Sequence, residues 1–131
     1  MTVVDTSALI AVLLNEADAT ACAEVLEAEP DLLMSAGTLV EALVVAGRRG
    51  LAGEMDELVE GLAIEIVPLT RSDARRVADA YGRWGKGRHP AALNFGDCFA
   101  YALAKARDCA LLCVGADFAR TDIRPALVAG R

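Results

Sequence analysis

Hydrophobic residues in this chain fall into two kinds of pattern. Short, nearly continuous apolar runs occupy residues 2–5, 31–35, 64–67 and 109–114 and are typical of strands buried on both faces. Between these runs, apolar residues recur at helical spacing and are bounded by capping and helix-breaking residues. The pattern predicts helices over residues 6–14, 17–28, 38–48, 52–62, 70–84 and 94–104.

Alternation of strands and helices predicts an α/β fold. A parallel sheet of four to five strands, covered by helices on both faces, gives a single three-layer α/β/α domain. The segment Thr121–Ile123 is the candidate for a fifth, edge strand. The 131 residues, 55% of them hydrophobic, suffice for one continuous core, so we expect one domain over residues 1–131.

Asp97 is the only carboxylate of the helix predicted over residues 94–104. Apolar residues lie on almost every side of that helix, which indicates that it is buried nearly all round. A carboxylate in such surroundings costs several kcal/mol unless a cation, a metal or hydrogen-bond donors compensate it. We therefore expect a compensating group opposite Asp97.

Four carboxylates are predicted to meet at one edge of the sheet. Asp5 and Asp117 follow strands, whereas Glu41 and Asp97 lie early in helices that begin at the same edge. Taken singly, Asp5 is explained as a helix cap and Asp117 as a turn residue. Together the four would repel one another unless cations were bound, and oxygen ligands suit Mg²⁺ or Mn²⁺. Phosphodiester hydrolysis by a metal-activated water is the natural chemistry of such a site.

Composition excludes several other kinds of protein. The net charge of −6 argues against binding nucleic acid by broad electrostatic attraction alone, although bound metals would reverse the charge at a local site. Four cysteines without a CxxC pair and a single histidine make a zinc site improbable. Neither a signal peptide nor a membrane-spanning run is recognisable, so we expect a cytoplasmic protein with no membrane contact.

Motifs along the whole chain resemble the PIN domain, and specifically the VapC-type toxins of bacterial toxin–antitoxin pairs. They are Val3–Leu9, Glu41, Lys86–Pro90, Leu93–Ala102 and Gly115–Phe118. The resemblance implies a metal-dependent endoribonuclease that is inhibited by a small cognate antitoxin covering its active site. It also implies a homodimer, with a heterotetramer or larger assembly formed with the antitoxin.

Carried over position by position, the resemblance assigns the acidic metal-site residues. They are Asp5, Glu41, Asp97 and Asp117, with Asp5 and Asp97 the most direct ligands of Mg²⁺ or Mn²⁺. Many family members have a polar or acidic residue where this chain has Ala116, so the fourth acid is Asp117 or, alternatively, Asp122. The hydroxyls of Thr6 and Ser7 are expected to cap the first helix and to orient a carboxylate as second-shell groups.

Cations beside an aromatic residue form a candidate RNA-binding segment. Its members are Arg83, Trp84, Lys86, Arg88 and His89. The cations can bind phosphate and Trp84 can stack on a base, while a solvated loop is an equally good explanation. A general-base role for His89 is less favoured, because metals activate water without it.

Other functions fit the sequence less well. An aspartyl-phosphate phosphatase would want a second acid where Ser7 stands, and a receiver domain would want an acceptor Asp after Ile64–Val67. The remaining alternative is a catalytically silent PIN-like scaffold that binds RNA or a partner. Retention of all four acids makes this the weaker alternative.

Overall fold

The computed structural model describes residues 1–127, which form four strands and six helices. The strands are β1 (Thr2–Val4), β2 (Leu32–Ser35), β3 (Glu65–Val67) and β4 (Ala110–Leu112). The helices are α1 (Thr6–Leu13), α2 (Ala19–Ala28), α3 (Ala36–Gly47), α4 (Ala52–Gly61), α5 (Arg71–Trp84) and α6 (Phe95–Arg107).

The four strands make one parallel sheet in the order β3-β2-β1-β4. β1 is central and pairs with β2 through Val3 and Leu33 and with β4 through Val3 and Leu111. Parallel strands in this order, joined by helices, confirm the predicted α/β class.

The candidate fifth strand at Thr121–Ile123 is wrong. These residues form turns, and the tail meets the sheet only through an isolated bridge between Leu111 and Pro125. That bridge consists of Leu111 N–H donating to Arg124 and Ala126 N–H donating to Leu111. Pro125 has no N–H with which to continue the pairing, so no strand develops there.

Two core clusters lie on opposite faces of the sheet, because successive strand residues point to opposite sides. Val3, Leu33 and Leu111 pack with α5 and α6 on one face. Their chain neighbours, including Val4 and Leu112, pack on the other face with α1 to α4. The result is the expected three-layer arrangement.

The carboxyl edge of the sheet is where chain elements that carry acids begin or end. β1 ends directly before Asp5, and β4 is followed by a turn at Gly115, whose φ of +97° favours glycine. Within residues 1–127, no helix combines the length and apolarity needed to cross a membrane.

Candidate functional site

A cavity of about 300 Å³ opens at the carboxyl edge of the sheet. Its lining includes every one of the four acids predicted to converge, namely Asp5, Glu41, Asp97 and Asp117. They come from the end of β1, from α3, from α6 and from the loop after β4. The topology therefore brings together residues that are up to 112 positions apart in the chain.

Asp5 is held firmly in this cavity and is only 4% exposed. Its Oδ2 accepts hydrogen bonds from the Ser7 backbone N–H at 3.1 Å and from the Ser7 hydroxyl at 2.6 Å. Asp5 is thus the N-cap of α1, which corrects the expectation that Thr6 and Ser7 cap this helix. The other oxygen, Oδ1, is buried and has no hydrogen-bond partner among the described residues.

The Ser7 hydroxyl also connects two strands. Besides donating to Asp5, it accepts a hydrogen bond from the Val114 backbone N–H at 2.9 Å. Ser7 therefore ties the end of β1 to the segment that leads from β4 toward Asp117. This contact fixes the spacing between two of the acidic elements.

Glu41 is positioned by the neighbouring Thr6. The Thr6 hydroxyl donates to Glu41 Oε1 at 2.7 Å, and the Thr38 carbonyl lies further away, at 3.4 Å. Thr6 is itself buried, at 7% exposed, so its side chain has little freedom. Both hydroxyls expected to orient carboxylates, those of Thr6 and Ser7, make direct hydrogen bonds to acids of the site.

Asp97 is 6% exposed and forms a capping box with Asn94. The Asp97 N–H donates to Asn94 Oδ1 at 2.8 Å, and the Asn94 N–H donates to Asp97 Oδ2 at 3.0 Å. Part of the expected compensation of Asp97 is thus a backbone donor at the N-terminus of α6.

The electrostatics of the site favour protonated or cation-bound carboxyl groups. Burial raises the pKa of Asp97 to about 7, and the charges of Asp5, Asp117 and Glu41 raise it further against the lowering effect of the Asn94 N–H. Burial likewise raises the pKa of Asp5 to about 6, while the hydrogen bonds from Ser7 oppose the shift. No Lys, Arg or His is among the residues that line the cavity, and no ion pair within residues 1–127 involves these acids.

The donor set suits a hard divalent cation. It offers carboxylate oxygens, one of which is the buried and unpartnered Asp5 Oδ1. In the described part of the chain, no three acid, His or Cys side chains already lie at the spacing of a complete ligand set. Mg²⁺ is commonly held by one or two carboxylates and keeps several waters, so the residues present fit such an ion.

The two candidates for the fourth acid lie in different places. Asp117 lies in an exposed loop, lines the cavity, and its charge contributes to the raised pKa of Asp97. Asp122 instead accepts a hydrogen bond from the Tyr101 hydroxyl and forms an ion pair with Lys105 at 3.2 Å. Asp122 does not line the cavity, so it is not placed to orient a ligand there.

Trp84 occupies the core, contrary to the expectation that it stacks on an RNA base. It is 8% exposed, and its Nε1 donates to the Tyr101 hydroxyl at 2.8 Å. The Arg83 guanidinium lies 4.6 Å from the centre of the Trp84 ring, and His89 packs edge-on at a centroid distance of 4.6 Å. A ring covered in this way has no free face to offer a base.

The loop between α5 and α6 leaves other groups accessible. His89 Nδ1 accepts from the Ala91 N–H at 2.9 Å, so this ring serves the loop's own structure. Lys86 and Arg88 are exposed, and neither takes part in an ion pair within residues 1–127. These two cations therefore remain available to a ligand beside α6.

Two residues of the cavity wall were not identified from the sequence. Asn94 carries a readable signal, since Asn followed three residues later by Asp before an apolar helix is a capping-box pattern. Glu16 lines the cavity as a fifth acid from the turn after α1. Nothing in its surrounding sequence distinguishes Glu16 from the other exposed acids.

Comparisons with known proteins agree with this geometry. The family model of the PIN domain matches residues 2–124. Ribonuclease VapC30 of Mycobacterium tuberculosis is 44% identical over 124 residues, which are 92% of this chain and 95% of that protein.

Solved structures share the fold at lower identity. The M. tuberculosis toxin VapC20, described as cleaving the sarcin–ricin loop, has a TM-score of 0.75 at 17% identity and covers 95% of this chain and 100% of its own. A toxin–antitoxin complex from Klebsiella pneumoniae has a TM-score of 0.70 at 20% identity, with 93% of each chain covered. These structures establish the fold of the chain.

Proposed function

Since this chain belongs to the PIN domain family and to its VapC ribonucleases, we propose that its carboxylate cavity cleaves RNA with the help of a divalent cation, Mg²⁺ or Mn²⁺. One observation carries the metal dependence. Four acids share one cavity that no cationic side chain of the described residues lines, and one buried oxygen of Asp5 has no partner. An uncompensated group of this kind is stable only when protonated or bound to a cation.

The acids differ in how rigidly they are held. Asp5 and Asp97 are buried and each is fixed through Oδ2, so their remaining oxygens are the most direct candidates for ligands. Glu41 is fixed through Oε1 by Thr6. Asp117 comes from an exposed loop and is the adaptable fourth acid of the proposal.

A bound divalent cation supplies a Lewis acid that makes water a stronger nucleophile and neutralises charge on the phosphate. The protein's own groups prepare the site for this chemistry. Ser7 and the Asn94 N–H stabilise the charged forms of Asp5 and Asp97 against the cost of burial. Without a cation, Asp97 holds a proton for much of the time at neutral pH, and cation binding must release it.

RNA is expected to approach from the loop that precedes α6. Lys86 and Arg88 are exposed there, and Arg83 presents a third cation above Trp84. Because the whole chain carries a net charge of −6, attraction of a polyanion depends on such local cations. We propose that these cations bind RNA phosphates next to the cavity.

A cognate antitoxin is the proposed protein partner. The solved toxin–antitoxin complex whose toxin shares this fold supports that assignment. The antitoxin would cover the cavity and block access of RNA to the acids. A homodimer, and a heterotetramer or larger assembly with the antitoxin, complete the proposal.

The test is RNA cleavage by the protein purified free of antitoxin. Wild type and Asp97→Asn are incubated with structured RNA in Mg²⁺, in Mn²⁺ and in EDTA. We expect cleavage by the wild type with either metal, none in EDTA, and a loss of at least 100-fold in Asp97→Asn. Cleavage that survives EDTA would refute metal dependence, and an unaffected Asp97→Asn would refute the location of the site.

A further inference from the structure

α3 and α6 approach each other unusually closely at the end that carries the acids. Each helix has a glycine where a side chain of the other is seated. Gly37 of α3 faces the Phe99 ring of α6, and Gly96 of α6 faces the Glu41 carboxylate of α3. Gly37 and Glu41 are one turn apart, and Gly96 and Phe99 are three residues apart, so each pair shares a helix face.

The space at Gly96 is filled by the Glu41 carboxylate. A Cβ at position 96 would lie 1.8 Å from Glu41 Oε2, 2.5 Å from its Cδ and 2.9 Å from its Oε1. These separations are far below van der Waals contact. Every amino acid except glycine therefore competes with Glu41 for the same volume.

Glu41 is the group that would yield. Its carboxylate ends a flexible side chain, whereas Gly96 belongs to the rigid first turn of α6 immediately before Asp97. On its far side the carboxylate is held by the Thr6 hydroxyl, which donates to Oε1 at 2.7 Å. Moving the carboxylate away from position 96 would therefore break or distort the hydrogen bond that aims it.

We propose that Gly96 is a positioning residue for Glu41. The missing side chain lets the carboxylate occupy the space between the Thr6 hydroxyl and the N-terminus of α6, next to Asp97. The inference rests on the proposed function in so far as Glu41 is taken as a metal-site residue. The contact between Gly96 and Glu41 itself is independent of that assignment.

Matched glycine variants isolate this effect. Gly96→Ala adds a methyl group against Glu41. Gly37→Ala adds one in the same helix pair, but against Phe99, whose Cδ1 would lie 2.2 Å away. Gly53→Ala adds one in α4, where nothing lies within 4 Å of the new Cβ.

The first measurement is Mn²⁺ affinity by titration calorimetry. We expect Gly96→Ala to weaken binding by at least tenfold, in the range found when groups that orient metal ligands are lost. Gly53→Ala should match the wild type, and Gly37→Ala should change the affinity less than threefold. Unchanged affinity in Gly96→Ala, or an equal loss in Gly37→Ala, would overturn the proposal.

A double-variant cycle tests whether Gly96 acts through Glu41. In a Glu41→Ala background there is no carboxylate to displace, so adding Gly96→Ala should leave the remaining Mn²⁺ affinity within twofold. A further tenfold loss in that background would show that the methyl group acts on α6 directly and would overturn the proposal.

A measurement without metal separates failure of this inference from failure of the proposed function. The carboxyl ¹³C resonance of Glu41 is recorded in metal-free protein at one fixed pH. Gly96→Ala should shift it, and Gly53→Ala should not. A shifted resonance in a protein that binds no Mn²⁺ would refute the metal site and leave the contact intact, whereas an unshifted resonance would refute the positioning role.

Discussion

The Ser7 hydroxyl donates a 2.6 Å hydrogen bond to the Asp5 carboxylate, two residues earlier in the chain. The same oxygen accepts from the Val114 N–H at 2.9 Å, so one side chain serves both the acid of β1 and the chain leaving β4. The second oxygen of Asp5 is thereby left to face the cavity. Ser7 orients a site residue and also holds two strand ends together.

Ser7→Ala should damage both stability and activity. The Val114 N–H loses its acceptor, and Asp5 loses one of its two donors, which should lower the free energy of unfolding by about 1–3 kcal/mol. Activity toward RNA should fall about 10- to 100-fold, as expected when a group that orients a metal ligand is removed. Chemical denaturation and kcat/KM measure the two effects.

Ser72→Ala is the matched control, because Ser72 is exposed on α5. It should leave both the stability and the activity near the wild-type values. Full activity in a stable Ser7→Ala protein would show that the hydroxyl is dispensable for the site.

Asp97→Asn should stabilise the metal-free protein at high pH. The folded-state pKa of Asp97 is raised from 3.8 to about 7, so between these values the unfolded chain loses its proton while the folded chain keeps it. Wild-type stability contributed by this group therefore falls as the pH rises through that window and is lowest above it. Asn does not titrate, and it retains an oxygen to accept from the Asn94 N–H.

Scanning calorimetry in EDTA checks this prediction. At pH 8 the midpoint of Asp97→Asn should exceed that of the wild type by several degrees, and at pH 4 the two should nearly coincide. Saturating Mn²⁺ should reverse the order at pH 8, since only the wild type gains binding energy. A variant that is less stable than the metal-free wild type at pH 8 would contradict the raised pKa.

Substitution of the two candidate acids should separate their roles. Asp117→Asn removes a charge from the cavity and should lower kcat/KM for RNA at least tenfold. Asp122→Asn removes the partner of Lys105 at the surface and should change kcat/KM less than twofold. The opposite ranking would assign the fourth acidic role to Asp122.

The loop cations should contribute to RNA binding more than to chemistry. Lys86→Ala and Arg88→Ala should raise KM with little change in kcat. Each should also reduce the steepness with which affinity falls with salt, by about 0.7 per phosphate contact on single-stranded RNA. Arg49→Ala, at the far end of α3 from the site, is the control. An unaltered salt dependence in both loop variants would remove this loop from the RNA surface.

The fold and the convergence of the acids could be predicted because they depend on local patterns. Continuous apolar runs specify buried parallel strands, and residues that follow such strands meet at one edge. Asp5 and Asp117 are both at the cavity for this reason. The isolated acid of α6 was also a readable signal, because burying an uncompensated carboxylate is costly.

The misassigned residues fail for separate physical reasons. Trp84 was grouped with neighbouring cations, yet Val77 and Ala80 precede it at intervals of seven and four residues and share its buried helix face. The Asn94 cap was a local pattern that was overlooked. The packing of Gly96 against Glu41 is a tertiary contact between residues 55 positions apart, and no local pattern encodes it.

Titration calorimetry of Mn²⁺ into the metal-free protein tests the central claim most directly, because the acids must bind a cation before they can serve catalysis. The account predicts saturable binding accompanied by proton release that is greater at pH 7 than at pH 8.5, and at least a tenfold weaker affinity in Asp97→Asn. Absence of saturable binding to the wild type, or equal affinity in Asp97→Asn, would contradict it.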